Sequence, residues 1–302
     1  MGEKQQETLW LSGNEAIALG AWEADVRVAS GYPGTPSTEI MGNIAKKGIY
    51  AEWAPNEKVG LEVAIGASFA GARALATMKH VGLNVAADPL FTAAYTGVRG
   101  GLVVLTADDP SMHSSQNEQD NRNYAFAAKL PMLEPSDPAE AKSMLELAYS
   151  LSEDLDTPVL FRITTRIAHV KGVVPVGEQI RKAEPTIEKV PAKLVMLPGN
   201  ARMRRQKITE RMQKALELAE TLPVNRIEKG EDKRGFVCAG VSYNYVKEAF
   251  PKAPVLKLGM VWPLPENLIK KFAAEVDELI VVEELDPFLE LHIKAMGINC
   301  VG

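Results

Sequence analysis

The 302-residue chain is 46% hydrophobic and 24% charged, the make-up of a globular protein long enough for two domains. A net charge of −5 argues against a nucleic-acid partner, and no stretch approaches the roughly 18 apolar residues of a membrane span. Two cysteines, Cys238 and Cys300, are too few for a disulfide framework, so a reduced, cytoplasmic setting is expected.

The start, MGEKQQETLW, lacks the apolar core of a secretion signal, and Gln6 stands where a myristoylation motif needs Ser or Thr. Residues 14–24 read as an amphipathic helix and 26–30 as a strand that leads into the turn GYPGTPSTEI. Ser37 or Thr38 is placed to cap the next helix. Residues 49–53 read as a strand, and Pro55 suits the first turn of a helix that runs to about residue 72. That helix is crowded with glycine and alanine, so it is expected to be buried on several sides. Buried strands follow at 75–78, 101–106 and 159–163. Such alternation predicts a doubly wound α/β sheet. From about residue 171 the chain turns rich in proline and charge, with a basic helix at 201–220 whose charges read as a solvated face. A second α/β unit is expected from about residue 233: strand FVCAG, helix, strand VLKLG, helix, strand ELIVVEEL and a helix from Pro287. The final INCVG reads as a strand just beginning.

Common catalytic signatures are missing. There is no G-x-x-x-x-G-K-[ST], no G-x-S-x-G and no H-E-x-x-H, and the four histidines are scattered. Three polar stretches each follow a predicted strand, where open α/β sheets bind ligands. They are the turn 31–40, WAPNEKVGLEV with Glu57 opening an apolar helix, and ADDPSMHSSQNEQDNR at 107–122. Taken singly, each has a plain structural reading: a stiff connection, a carboxylate on a helix dipole, a solvated loop.

Taken together they resemble one family. SGNEAIALGAWEADVRVASGYPGTPSTEI, EWAPNEKVGLEVAIGASFAGARALATMKHVGLNVAADPL and ADDPSMHSSQNEQDNR are similar to the alpha subunits of indolepyruvate ferredoxin oxidoreductases. These belong to the thiamine diphosphate-dependent 2-oxoacid:ferredoxin oxidoreductases. LPGNARMRRQ and VVEELDPFLE extend the resemblance over essentially the whole chain. It implies a pyrimidine-type doubly wound domain at 1–170, a linker with an amphipathic helix at 171–232, and a transketolase C-terminal-like α/β domain at 233–302. The implied reaction is oxidative decarboxylation of an aryl 2-oxoacid, with coenzyme A taking the acyl group and ferredoxin the electrons. Another 2-oxoacid, branched-chain or pyruvate, and a non-catalytic binding module of the same fold remain alternatives.

The resemblance maps the family's glutamate onto Glu57. A carboxyl hydrogen-bonded to the pyrimidine favours the imino tautomer that removes the thiazolium C2 proton. The task asks for a raised pKa, expected from burial against Trp53, Val59 and Leu61; Glu52 and Glu62 are the neighbouring alternatives. Tyr32, Pro33 and His80 are further cofactor-binding candidates. Thr35, preorganised by Pro33 and Pro36, is the expected substrate donor. Pyruvate-specific relatives carry an arginine where Asp108 stands here, so the substrate is assigned instead to Asp108, His113, Gln116 and Asn117. No GDG motif and no C-x-x-C-x-x-C run occurs in the chain. Mg²⁺ and [4Fe–4S] sites are therefore expected on a C-terminal thiamine diphosphate/ferredoxin-like region, with a smaller beta subunit as partner.

This half-site reading predicts that the 302-residue chain alone binds thiamine diphosphate weakly and shows no iron–sulfur colour, since the metal that compensates the diphosphate charge must come from elsewhere. Calorimetry with the cofactor and Mg²⁺, beside a visible spectrum, checks this. Micromolar binding or a broad iron–sulfur band would contradict it.

Overall fold

The computed structural model describes residues 7–302; the start considered above for a leader or lipid anchor, Met1 to Gln6, lies outside the described residues. The described chain opens with β1 (Thr8–Ser12) and α1 (Gly13–Glu23), joined by a reciprocal cap. The Glu15 amide donates to Ser12 Oγ at 3.2 Å, and the Ser12 amide donates to the Glu15 carboxylate at 2.8 Å. Next come β2 (Val28–Gly31), α2 (Thr38–Lys46), β3 (Tyr50–Trp53) and α3 (Glu57–Phe69). Asn56 caps α3 by accepting from the Val59 amide at 3.0 Å. Pro55 therefore stands outside the helix, not in its first turn as expected.

The chain continues through β4 (Ala74–Lys79), α4 (His80–Val85), α5 (Ala87–Thr96), β5 (Leu102–Asp108), α6 (Arg122–Ala128) and β6 (Met132–Leu133). Then follow α7 (Pro138–Leu155), β7 (Val159–Thr164), α8 (Thr165–His169) and β8 (Lys171–Pro175). Two helices, α9 (Pro191–Leu194) and α10 (Pro198–Ala219), lead to the second unit. It comprises β9 (Arg226–Glu228), β10 (Arg234–Ala239), α11 (Ser242–Ala249), β11 (Val255–Leu258), β12 (Met260–Trp262), α12 (Glu266–Ala274), β13 (Glu278–Val282) and α13 (Phe288–Ala295).

Seven strands form the main sheet in the order β12-β6-β7-β5-β4-β2-β3, parallel throughout except for β12. A second sheet runs β13-β10-β11-β9, and β1 pairs antiparallel with β8. Val301 bridges to Ile280, so the final segment does add to the free edge of β13. Several elements depart from the sequence expectation, three of them with consequences for the fold. Strand β8 lies in the expected linker, α7 is a further helix, and β12 leaves the second unit to close the edge of the first sheet. The apolar core explains that crossing. One cluster joins Leu61, Leu90 and Leu160 of the first unit to Val237, Leu256 and Phe288 of the second. The other face of the main sheet is filled by α1, α2 and α7, with Ile17, Ile44 and Tyr149 inside.

The basic helix α10 is also not simply a solvated face. Arg204 donates to the carbonyls of Tyr95 and Thr96, at 2.8 and 3.0 Å, and Arg211 to that of Ala94 at 2.9 Å. These are the last carbonyls of α5, which a helix leaves unsatisfied. Both guanidinium groups also reach Asp156, at 2.8 and 2.6 Å.

Helices α1 and α7 touch backbone to backbone at Gly20, where an added Cβ would lie 2.7 Å from the Lys142 carbonyl oxygen. Gly20→Val is expected to destabilise the fold by about 1–3 kcal/mol through overpacking. Thermal denaturation reads the shift, and an unchanged Tm would mean that the two helices part at no cost.

Candidate functional site

Strands β5, β4 and β2 are neighbours, so the segments after their C-terminal ends share one edge of the sheet. The turn after β2 closes on itself. Ser37 Oγ donates to the Gly34 carbonyl at 3.0 Å, the Gly34 amide donates to Thr38 Oγ1 at 2.9 Å, and Asn14 Nδ2 holds the Pro36 carbonyl at 2.8 Å. The Thr35–Pro36 bond is cis. Two of the turn's hydroxyls therefore serve the turn, whereas Tyr32, Pro33 and Thr35 are exposed. Lys79, at the end of β4, lies beneath Gly34 and donates to the Ser114 carbonyl at 2.9 Å. Ser114 in turn points its hydroxyl at the Thr35 carbonyl, 3.4 Å away. Turn and loop thus face each other.

Glu57 is the first residue of α3 and is half-buried. Its carboxyl lies against α4: a methyl group added at Gly82 would sit 2.5 Å from Glu57 Cγ and 2.6 Å from Oε1. The helix itself approaches β2 through glycines, since a Cβ on Gly60 would be 3.3 Å from Gly31 Cα. Of the alternatives, Glu52 accepts a hydrogen bond from the Tyr50 hydroxyl at 2.6 Å, and Glu62 is exposed. The apolar wrap expected around Glu57 is incomplete. Leu61 is fully buried, but Trp53 is 47% exposed.

His80, the first residue of α4, is fully buried. Its Nε2 lies 3.1 Å from Asn117 Oδ1, an oxygen that only accepts, so Nε2 carries a proton, and the buried Nδ1 has no hydrogen-bond partner among the described residues. The loop that brings Asn117 there is shaped by Asp109. This carboxylate accepts from the Ser114 amide at 2.8 Å, Ser115 Oγ at 2.5 Å and Thr165 Oγ1 at 2.6 Å. Burial pushes its pKa up, but these hydrogen bonds outweigh burial and bring it down to about 2. Ser111 and Met112 take positive φ values of 68° and 53° in the same loop. His113 and Gln116 are exposed. The structure therefore brings Glu57, His80, Asn117, Tyr32, Pro33 and Thr35 to one edge, with His113 and Gln116 on the loop beside them.

Asp108 requires correction. It ends β5 with its side chain fully buried, Oδ2 2.7 Å from Arg162 Nε and accepting from the Asn121 amide at 3.1 Å. A substrate cannot reach it. Burial raises its pKa to about 6; the Arg162 guanidinium opposes that rise and Asp120 adds to it. The sequence reading missed the network to which it belongs. Arg162 also meets Glu134 at 2.6 Å, while Arg122 pairs with Asp120 at 2.5 Å and Glu283 at 2.6 Å. Arg122 further donates to the carbonyls of Glu284 and Asp286, each at 3.0 Å. The one readable signal was Arg162 itself, a lone charge inside the apolar strand VLFRIT.

Residues 19–220 match the family described as pyruvate flavodoxin/ferredoxin oxidoreductase, thiamine diphosphate-binding. The chain is 48% identical, over 98% of its length, to a protein of Archaeoglobus fulgidus named indolepyruvate oxidoreductase subunit IorA. It spans about half the length of the curated relatives it matches, 50% of this one. A solved 2-oxoglutarate:ferredoxin oxidoreductase from Magnetococcus marinus, with 2-oxoglutarate, coenzyme A and succinyl-CoA bound, matches 100% of this chain and 63% of its own with a TM-score of 0.82 and 18% identity. A split gene transketolase, described as an inactive beta4 tetramer, matches 96% of this chain and 86% of its own with a TM-score of 0.57 and 12% identity. These two likenesses concern the fold alone, and they bear out the expected α/β architecture.

The buried Asp108 gives a pH test. Its folded pKa is raised, so its favourable contribution is present below about pH 4, where the unfolded carboxyl titrates, and is lost as pH rises through about 6. Asp108→Asn removes that titration. Relative to the parent, the variant is expected to gain in Tm between pH 4.5 and 7.5. A constant difference across that range would show that Asp108 ionises freely in the fold.

Proposed function

The chain belongs to the pyruvate flavodoxin/ferredoxin oxidoreductase family, and from that premise we propose that it supplies the aminopyrimidine- and substrate-facing half of an aryl 2-oxoacid oxidoreductase site. The substrate proposed is indolepyruvate, on the support of the name carried by the 48% identical relative. The products are its acyl-coenzyme A, CO₂ and electrons passed to ferredoxin. The Mg²⁺ ligands and the [4Fe–4S] cysteines are assigned to a C-terminal thiamine diphosphate/ferredoxin-like region, with a smaller beta subunit as partner, in keeping with relatives about twice as long. Among the described residues no helix is long and apolar enough to cross a membrane, and the two free cysteines fit a cytoplasmic enzyme.

The residues present fit the cofactor's ring. Glu57 offers a carboxyl at a helix start, with no hydrogen bond or ion pair among the described residues, and Gly82 leaves the space it occupies. Bound thiamine diphosphate supplies the nucleophilic carbon and the electron sink that 2-oxoacid decarboxylation needs. Glu57 would hold the aminopyrimidine ring by a hydrogen bond from or to its carboxyl. Tyr32 and Pro33 present an exposed surface for the ring, and buried His80 fixes Asn117. Thr35 donates its hydroxyl to the 2-oxoacid, and Asn117, His113 and Gln116 stand on the facing loop. Arg122 and Arg162 are both enclosed and paired, so neither is free to clamp a substrate carboxylate. Lys79, the cation beneath the turn, is engaged with the Ser114 carbonyl, and burial of a large aryl side chain would contribute binding in place of a guanidinium clamp.

The single observation that carries this reading is the Glu57 carboxyl seated against Gly82. In the enzyme assembled with its remaining half and partner subunit, Glu57→Gln is expected to lower turnover by about 10²–10⁴-fold with Tm unchanged. Gly82→Ala should act through the same group. Its Cβ would meet the end of a flexible side chain, so the carboxyl moves, turnover falls and the fold survives. Near-normal turnover in Glu57→Gln would remove Glu57 from the mechanism.

A further inference from the structure

A cavity lies between α6, α10, β12, the start of α12 and the C-terminal half of α13, and none of the residues assigned to the reaction lines it. Its volume is about 570 Å³, within the range of about 300–1,000 Å³ typical of small-molecule sites. Phe126, Trp262 and His292 line it and form one edge-to-face cluster, with ring centroids 5.1 to 5.5 Å apart. Phe126 is 50% exposed although rings pack behind it, so one aromatic face is left wet. Leu264 and Met296 continue the apolar lining.

The polar lining comprises Thr209, Gln213, Glu266, His292 and two cations. His292 Nδ1 lies 2.7 Å from the Phe288 carbonyl, which only accepts. The neutral ring therefore has its proton on Nδ1, and Nε2 remains an acceptor. Two exposed cations, Lys129 at the C-cap of α6 and Arg205 on α10, also line the cavity. Among the described residues neither pairs with a carboxylate, whereas Arg204 and Arg211 of the same helix both hold Asp156. Glu266, which shares the lining, ion-pairs with Lys270 at 3.4 Å. An apolar aromatic cavity with unpaired cations at hand is complementary to an amphipathic anion with a flat ring.

We propose that this cavity binds an arylalkanoate anion, its ring against Phe126, Trp262 and His292 and its carboxylate at Lys129 and Arg205. A ring N–H, where the ligand has one, meets His292 Nε2. The site is separate from the turn at 32–38 and does not depend on the reaction proposed above.

Calorimetric titration of the 302-residue chain tests this with three probes: indole-3-acetate, neutral indole and hexanoate. Indole-3-acetate is expected to bind one to one, with indole and hexanoate each weaker by about tenfold or more. The Lys129→Gln/Arg205→Gln double variant should reduce indole-3-acetate to the affinity of indole while leaving indole itself unchanged. Phe126→Ala, an exposed truncation checked by an unaltered Tm, should weaken both ring-bearing probes. Equal affinities for the three probes, or no effect of the double charge variant, would overturn the proposal. So would no binding at millimolar probe, or binding lost in Thr35→Val but kept in the double variant. A concentration-dependent dimer that buries Phe126 would assign the cavity to a second copy of the chain instead, and would also overturn it.

Discussion

Two guanidinium groups in a dry interior set the arrangement of everything around them. Arg162 lies in the middle of an apolar strand and Arg122 opens α6, each with its side chain 1% exposed. A buried charge left alone costs several kcal/mol, so partners must be delivered to it from the chain. Asp108 comes from the end of β5, Asp120 from the end of the following loop, Glu134 from beyond β6 and Glu283 from beyond β13. One electrostatic requirement therefore fixes where several strands end, and it ties the second sheet to the first.

That requirement shapes the candidate site without taking part in it. Asp108 and Asn121 pin the two ends of the polar loop, and Asp109 gathers Ser114, Ser115 and Thr165 inside it. A loop held at these points can present Asn117 to His80 and Ser114 to the turn at Thr35. On the opposite side, glycines at 31, 60 and 82 let α3 and α4 approach closely enough to seat the Glu57 carboxyl. The site is thus rigid by polar networks on one flank and by absent side chains on the other.

The stretches that announced themselves in sequence were those whose chemistry is local. A strand-to-helix turn with two prolines reads as rigid because proline fixes φ. Alternating apolar runs and helical stretches read as a doubly wound sheet because each element must bury a face. Glu57 stood out as an acid opening a helix of small residues. The run at 107–122 read as a binding loop because its donors and acceptors are contiguous; the structure sets Asn117 against His80 and encloses Asp108. Contiguity does not say which side chains are enclosed: every residue of β5 is buried, and Asp108 is taken up by Arg162.

The sequence by itself determined the α/β class and the position of the turn at 32–38, since these rest on backbone restriction and on periodicity over a few residues, while the candidacy of Glu57 came from the family resemblance. Tertiary structure decided what depends on groups far apart in the chain: Arg122 with Glu283, β12 with β6, Gly20 with Lys142, and Arg204 and Arg211 with the end of α5. The physical reason is the same in each case. Burial of a charge, of a sheet edge or of a helix terminus creates a demand that only a distant segment meets, and which segment meets it is settled by packing.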